Sequence, residues 1–480
     1  MNTKMYIGGR MVEGDGQPID VINPTDGSVI ATVNGASAAQ AEEALQAAKA
    51  AFPWWSSRSV EERISWMQKI QAEMVKDQAL LAEIDAMETG KPYKNAIGDT
   101  MAGYGVMNFY GEEAKRVFGT SISDKGTADH GMYHVVERRP RGVVVAHLAW
   151  NYPLANFGMK LAPAMASGCP VILKPSSQTC LASMHLGEIC ERIGLPAGVV
   201  NIVVGKSEVV GKTLNQSKIP SMITLIGSSA TGVQVMQEGS TSIKNYSLEL
   251  GGNAPAIINR DCGDELEAIA RNIVATKCSN SGQDCTDYNR IYVHESLYDR
   301  FIELVAERMD HVTVGPWKTE GEIVMGSMIN FEARDRMIRL CEEAVAEGAT
   351  LVKGGGIPAG LEAGAFFTPA LLINVKESMR VCREEIFGPI IAVQSFSDLD
   401  TVLKQAVDTD LGLASYYWGH DARDIAKVFE TFESGDVFIN GASGNIFTPH
   451  VGIKQSGLGC DQSQWSLDEY YVLKRISMRP

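Results

Sequence analysis

The chain lacks any apolar run near the ~18 residues that span a bilayer. Residues 143–150 are too few, and the stretch 161–173 ends at Lys174. Its nine cysteines form no C-x-x-C pair and show no metal-ligand spacing with histidine, so neither a zinc module nor any other metal site is expected. It has no basic excess. Lys and Arg number 43 against 58 Asp and Glu, for a net charge of −15. That balance argues against nonspecific binding to nucleic acid or anionic membranes. Residues 1–23 hold charges and glycines but no apolar signal core. An odd cysteine count without an export signal reads as reduced thiols, so a cytoplasmic location is expected. Low-complexity tracts and repeats of solenoid period are also missing.

What is present suits a soluble globular protein. The 480 residues are 45% hydrophobic and 21% charged, long enough for two or three domains. Residues 37–52 predict a helix with a Ser37/Gln40 capping box and Pro53 just past its end. Residues 60–118 predict more helix, broken at Gly90-Lys91-Pro92. Strands at 143–148, 171–174, 199–204 and 222–226 then alternate with helices at 154–167, 183–193 and 231–237. Such alternation implies a parallel sheet covered on both faces. A second alternating set follows Gly252, with helices at 297–308 and 333–346 and strands near 291–293 and 390–393. Residues 121–139 and the tail 470–478 fit neither set. They read as strands that pair with each other or with another subunit.

Two glycine-marked segments carry the chemistry. Glu249-Leu250-Gly251-Gly252 offers a carboxylate that can act as a base. Gly282-Gln283-Asp284-Cys285 offers a thiol that can act as a nucleophile. Most cysteines are packing residues, so Cys285 is weighed by its surroundings. Lys174-Pro175-Ser176-Ser177 directly follows a strand, and Gly227–Gly232 lies between a strand and a helix. Both are ligand positions in an open parallel sheet, and a helix N-terminus suits a pyrophosphate, although an ordinary βα turn reads the same way. No G-x-G-x-x-G follows a predicted strand. Asn151, in Trp150-Asn151-Tyr152-Pro153, can donate to a developing oxyanion or serve as a turn residue before a helix.

These segments, with Glu384-Glu385-Ile386-Phe387-Gly388-Pro389, occur in one order that resembles the aldehyde dehydrogenase superfamily over essentially the whole chain. The resemblance implies an α/β fold with a Rossmann-like cofactor-binding domain (1–117 and 140–250). It also implies a second α/β catalytic domain (251–451) and a β-strand oligomerisation arm (118–139 and 463–480). It implies oxidation of an aldehyde to the acid with NAD or NADP, through a thiohemiacetal and a thioester. Cys285 is the implied nucleophile, Glu249 the base that activates the deacylating water, and Asn151 with the Cys285 N–H the oxyanion hole. Lys174, Ser176, Ser177, Gly227, Ser228, Gly232, Leu250, Glu385, Phe387 and Trp150 are implied cofactor contacts. Lys174 would meet the adenosine ribose and Glu385 the nicotinamide ribose. A homodimer or homotetramer is implied as well.

The chain departs from the family pattern in places. Many NAD-preferring relatives have glutamate where Ser177 stands. Without that carboxylate a 2′-phosphate is not repelled, so NADP is expected to be accepted. Relatives acting on succinic semialdehyde place arginines near the tunnel, and the aligned positions here hold Met159 and Ser279. Asp284 and Asp287 flank the nucleophile and would disfavour an anionic substrate if they face the tunnel, or else form salt bridges. A neutral or aminated aldehyde is therefore expected. Tyr152, Phe157, Asp284, Thr286, Phe447 and His450 are candidate tunnel residues, with Tyr104, Asn108 and Tyr288 as further aromatic or polar walls. His450 replaces the phenylalanine of a Pro-Phe-Gly-Gly segment, and some relatives acting on hydroxyaldehydes have histidine nearby. A semialdehyde or hydroxyaldehyde dehydrogenase, and a non-catalytic binding or structural protein of the same fold, are the alternatives.

Overall fold

Ser37 opens the first long helix by accepting from the Gln40 N–H while the Gln40 side chain accepts from the Ser37 N–H. The computed structural model describes residues 1–123, 131–442 and 444–479. This helix, Ala38–Ser56, runs a turn beyond its predicted end and takes Pro53 inside. Pro53 removes one hydrogen bond from the last turn, and the extra turn buries Trp55 completely in the core. Helices Val60–Lys76, Gln78–Thr89 and Tyr93–Ala114 follow, with the predicted break at residues 90–92.

The first sheet has eight strands. Its centre is parallel, in the spatial order Val200–Ile202, Val171–Lys174, Val143–His147, Pro220–Ile226, Asn245–Glu249. Strands Val143–His147 and Val171–Lys174 are buried throughout, as expected for strands covered by helices on both faces. The prediction of a parallel sheet holds for this centre, while the flanking strands Met5–Ile7 and Gly457–Leu458 pair antiparallel. Register aligns the carboxyl ends. His147 pairs with Lys174 and with Leu225, and Ile226 with Glu249. Four motif-bearing strand ends thus open on one edge, where ligands bind in such sheets.

The second sheet has seven strands, in the order Thr350–Lys353, Ala370–Ile373, Ile390–Phe396, Arg290–His294, Pro255–Ile258, Ala414–Trp418, Asp436–Ile439. Only the first of these pairs antiparallel. The two sheets have separate apolar clusters around them. A three-stranded sheet stands apart. Tyr133–Pro140 pairs with Thr120–Ser123 on one side and with Tyr471–Met478 on the other. Of the pairings open to the predicted arm, these strands therefore use each other. Residues 124–130 of that arm, and Pro480 of the tail, lie outside the described residues. Among the described residues no helix is long and apolar enough to cross a membrane.

Candidate active site

Glu249 ends its strand at the edge of the first sheet, and the chain then turns through Gly251 and Gly252. A Cβ at Gly252 would stand 2.3 Å from the backbone oxygen of Cys285, so only glycine allows the two segments this close. The Cys285 segment is shaped by Asn280, Ser281 and Gly282, all in the left-handed region with φ of 47°, 56° and 67°. At Gly282 a Cβ would also collide with the Gly388 carbonyl at 2.5 Å. Ser281 Oγ lies 3.1 Å from the carbonyls of both Gly326 and Ser327, which anchors the strained turn. As a result the Cys285 thiol, the Glu249 carboxylate and the His450 imidazole have ligand atoms within 4.8 Å of one another. Burial, then the charges of Glu249 and Asp284, hold the half-buried Cys285 thiol well above its ordinary pKa.

Asn151 lies at the start of helix Pro153–Ser167. Its Nδ2 donates to the Gln283 carbonyl at 3.2 Å, and its Oδ1 accepts from Asn156 Nδ2 at 3.4 Å. Its backbone oxygen accepts from Lys91 Nζ at 2.8 Å and from Asn280 Nδ2 at 3.0 Å. Lys91 is fully buried and paired with Asp99 at 3.2 Å, while Asp99 accepts the Ala155 N–H at 2.8 Å. This network locks Asn151 beside Cys285 from behind. Lys91, Asp99 and Asn280 went unnoticed in the sequence. Only the glycine-proline break around Lys91 marked that place.

Two cavities meet at Cys285, Glu249 and Asn151. The first, ≈ 640 Å³, lies over the carboxyl ends of the first sheet. Trp150, Lys174, Ser176, Ser177, Gly227, Ser228, Glu385 and Phe387 line it. Helix Ser229–Gly239 points its N-terminus there, with Ser228 as its cap. Lys174 is buried, and its Nζ reaches Ser207 Oγ only at 3.5 Å. Burial pushes the Lys174 ammonium down to about 8. An under-satisfied ammonium beside a helix N-terminus fits a dinucleotide with an anionic pyrophosphate. Glu385 Oε1 accepts the Gly252 N–H at 3.0 Å, and burial raises the carboxyl to about 7. Arg336 lines this cavity too and donates to the backbone oxygen of Glu385 at 2.7 Å. His147 also lines it, bonded to Asn215 at 2.7 Å, with a pKa lowered to about 4 by burial and then by Lys174. Neither Arg336 nor His147 stood out in the sequence.

The second cavity, ≈ 670 Å³, opens on the other side of Cys285. Tyr152, Asp284, Thr286, Asp436, His450 and Asp461 line it, along with Met159 and Asn445. Among the described residues no lysine or arginine does. Asp284 Oδ1 accepts from the Thr286 N–H at 2.8 Å and its hydroxyl at 2.7 Å, and Asp284 Oδ2 accepts from Tyr152 Oη at 3.1 Å. Asp287 takes the other course open to it, a buried pair with Lys277 at 3.0 Å. His450 stands between carboxylates, with Asp436 at 2.6 Å from Nδ1 and Glu249 at 3.3 Å from Nε2. Burial alone would lower its pKa, but the bonds to Asp436 and Glu249 and their charges prevail and hold it well above the usual imidazole value.

Several expected tunnel residues lie elsewhere. Phe157 is fully buried on the core face of its helix, while its neighbours Asn156 and Met159 face the cavity. Phe447 is exposed and packs edge-on against Phe109, with ring centroids 5.2 Å apart. Tyr288 belongs to the second core, against Tyr416 at 4.6 Å. Tyr104 bonds Gln78, and Ser279 bonds Asn95. Like these, Asn108 lines neither cavity among the described residues. In each case the packing of the segment, which residue type does not reveal, turns the side chain away. Of the expected cofactor contacts, Gly232 and Leu250 pack against each other behind the first cavity.

The profile of the aldehyde dehydrogenase family matches residues 11–476. The chain is 35% identical to glutarate-semialdehyde dehydrogenase of Pseudomonas aeruginosa, over 98% of this chain and 97% of that protein. It is also 35% identical to the NADP(+) succinate-semialdehyde dehydrogenase of Escherichia coli, over 96% and 94%. A solved point variant of betaine aldehyde dehydrogenase from Staphylococcus aureus, in complex with NAD+, superposes with a TM-score of 0.93. It shares 31% identity over 99% of this chain and 97% of that one.

Proposed function

The chain belongs to the aldehyde dehydrogenase family and is an NAD(P)-dependent oxidoreductase that turns aldehydes into acids; from that premise we propose that Cys285 is its nucleophile, Glu249 its base and Asn151 its oxyanion donor, acting on a neutral or aminated aldehyde. The observation that carries this reading is the packing of Gly252 on the Cys285 carbonyl, which sets thiol and carboxylate together where the two cavities meet.

The residues then divide the work. The Cys285 thiol gives up its proton to solvent as Sγ adds to the carbonyl carbon. Negative charge on the former carbonyl oxygen meets Asn151 Nδ2 and the Cys285 N–H. NAD(P)+, when bound in the first cavity, supplies the acceptor for the departing hydride. The thioester left on Cys285 is opened by a water that Glu249 deprotonates, which frees the acid and returns the thiol. Lys174, Ser176, Ser177, Gly227 and Ser228 are the residues that would hold the nucleotide's adenosine and pyrophosphate end, with Glu385, Phe387 and Trp150 at its nicotinamide end.

Acceptance of NADP is supported by Ser177, which carries no charge against a 2′-phosphate beside Lys174. The substrate class is supported by the Asp284 carboxylate, which faces the second cavity, while Asp436 is met there by His450 and Asp461 by the buried Lys160. An anionic semialdehyde would meet repulsion there, and an ammonium or a neutral chain would not. The two semialdehyde relatives act on anionic aldehydes by their names, so this chain would differ from them at the tunnel. The division into a cofactor-binding unit (1–117 and 140–250), a catalytic unit (251–451) and an arm (118–139 and 463–480) is supported by the two sheets with separate cores. A homodimer or homotetramer is supported by exposed Tyr133, Leu473 and Met478 on the arm. A cytoplasmic location is supported by nine free cysteines.

The test is the initial rate of nicotinamide reduction with acidic, neutral, aromatic and aminated aldehydes, each with NAD and with NADP. Fastest turnover is expected with a neutral or aminated aldehyde, and with NADP accepted. Succinic semialdehyde as the best substrate would overturn the substrate reading, and turnover with NAD alone would overturn the Ser177 argument.

A further inference from the structure

We infer that Cys285, Glu249 and His450 form a site for a zinc ion that silences the enzyme while bound, with Asp436 orienting the imidazole from behind. The inference goes beyond the proposed reaction, although it uses the same thiol and carboxylate. The three residues are scattered along the chain and show no metal-ligand spacing. The fold alone assembles them.

Three observations converge. The donor set is a thiol, an imidazole and a carboxylate, the ligands that zinc takes in tetrahedral protein sites. Their ligand atoms lie within 4.8 Å of one another, around a point open to both cavities. With bonds of about 2.0–2.1 Å, two neighbouring N and O ligands of a tetrahedral ion are about 3.3 Å apart. His450 Nε2 and Glu249 Oε1 are 3.3 Å apart. The third observation lies one shell out. His450 Nδ1 is 2.6 Å from Asp436 Oδ2, a carboxylate that fixes the Nδ1–H tautomer and leaves Nε2 to face the metal. Asp436 is held in turn by the Val451 N–H at 3.4 Å.

Soft thiolate and imidazole select zinc over magnesium or calcium, which prefer oxygen alone. The Asp284 carboxylate, which faces the second cavity, draws divalent cations into it. A zinc ion there takes the place of two protons, the thiol proton and the one that His450 Nε2 holds toward Glu249; both leave to solvent as the Zn–S and Zn–N bonds form. The sulfur pair that would attack the aldehyde is then committed to the metal, and Glu249 can no longer activate water. Removal of the metal restores both.

The full-length protein, freed of metal by a chelator, is titrated with Co2+ as a spectroscopic probe and then with Zn2+ in competition. About one Co2+ per chain is expected, with a thiolate-to-cobalt charge-transfer band that Zn2+ abolishes. Aldehyde oxidation should fall in step with zinc occupancy and return with EDTA. Cys285→Ser should remove the band. His450→Gln should weaken binding at least tenfold, and Asp436→Asn, which leaves all three ligands, by about 10–100-fold. Thermal melts of each variant establish folding, and Asp436→Asn serves if His450→Gln fails to fold. A titration without the thiolate band, or variants that bind Co2+ as tightly as the unaltered chain, would overturn the site. Those results would leave the oxidation chemistry untouched. Conversely, Cys285→Ser that still oxidised aldehydes would remove the nucleophile assignment and leave the metal result standing.

Discussion

The Nε2 of His450 stands 3.3 Å from the Oε1 of Glu249, so the carboxylate beside the Cys285 thiol is tied to a ring held in turn by Asp436 at 2.6 Å. A carboxylate fixed from behind can meet an incoming water without searching for its position. The consequences are measurable.

Glu249→Gln should separate the two halves of the reaction. Acylation leaves reduced nicotinamide as product before any hydrolysis, so a burst of about one equivalent per competent site is expected, followed by turnover slowed about 10²–10⁴-fold. Cys285→Ala should show no burst while retaining nucleotide binding. Stopped-flow absorbance distinguishes the two, and equal bursts in both variants would contradict the assigned roles.

Asp284→Asn should shift charge preference at the tunnel. The amide keeps a carbonyl for Thr286 and loses the negative charge facing the cavity. The kcat/KM ratio for anionic over aminated aldehydes should rise about tenfold, equal to about 1.4 kcal/mol. An unchanged ratio would mean that the Asp284 charge is not felt by the substrate.

Ser177→Glu should turn the protein against NADP. A carboxylate on the first cavity would repel a 2′-phosphate and can accept from ribose hydroxyls instead. The NADP/NAD ratio of kcat/KM should drop at least about tenfold. Titration of each nucleotide against protein fluorescence checks whether the effect lies in binding.

Glu88 makes stability depend on pH. It is fully buried and accepts the Leu181 and Ala182 N–H groups at 2.8 and 3.2 Å, at the start of helix Leu181–Arg192. Burial raises its carboxyl to about 8, above the ordinary value of 4.5. Between those values the folded chain keeps a proton that the unfolded chain has lost, so this group's share of stability falls as pH rises through the window. Below it, both states are protonated and the loss vanishes. Glu88→Gln should flatten the pH dependence of the thermal midpoint, with its largest gain near the upper end. A parallel profile in both proteins would disprove this.

Leu473→Glu should weaken subunit association. Leu473 is 72% exposed on strand Tyr471–Met478. An apolar side chain on an arm strand is normally covered by another copy, and a charge there resists burial. Light scattering should report a lower mass with the far-ultraviolet spectrum unchanged.

Much of the fold was legible because its signals are local. Continuous apolar runs at residues 143–146 and 171–173 mark buried strands, and Ser37 with Gln40 marks a helix start, since each depends only on near neighbours. The extra turn past Pro53 was not legible, because it is stabilised by burial of Trp55 among distant residues. Phe157 and Phe447 misled for the same reason. An aromatic ring fits a tunnel wall, a core or a surface contact, and only the tertiary packing of its segment chooses among them.

By itself, the sequence determined the ordered motifs of an aldehyde dehydrogenase, and it determined that glycine stands where the Glu249 and Cys285 segments must pass. Those glycines are readable because no other residue lets one backbone approach another so closely, as the 2.3 Å clearance at Gly252 requires. Only the tertiary structure decided that Asp284 faces the cavity while Asp287 turns to Lys277. It alone linked His450 to Glu249 and Asp436 and placed Lys91 behind Asn151. The reason is physical. A side chain's partner is set by the packing of segments far apart in the chain, and no local pattern of residues encodes which way it will point.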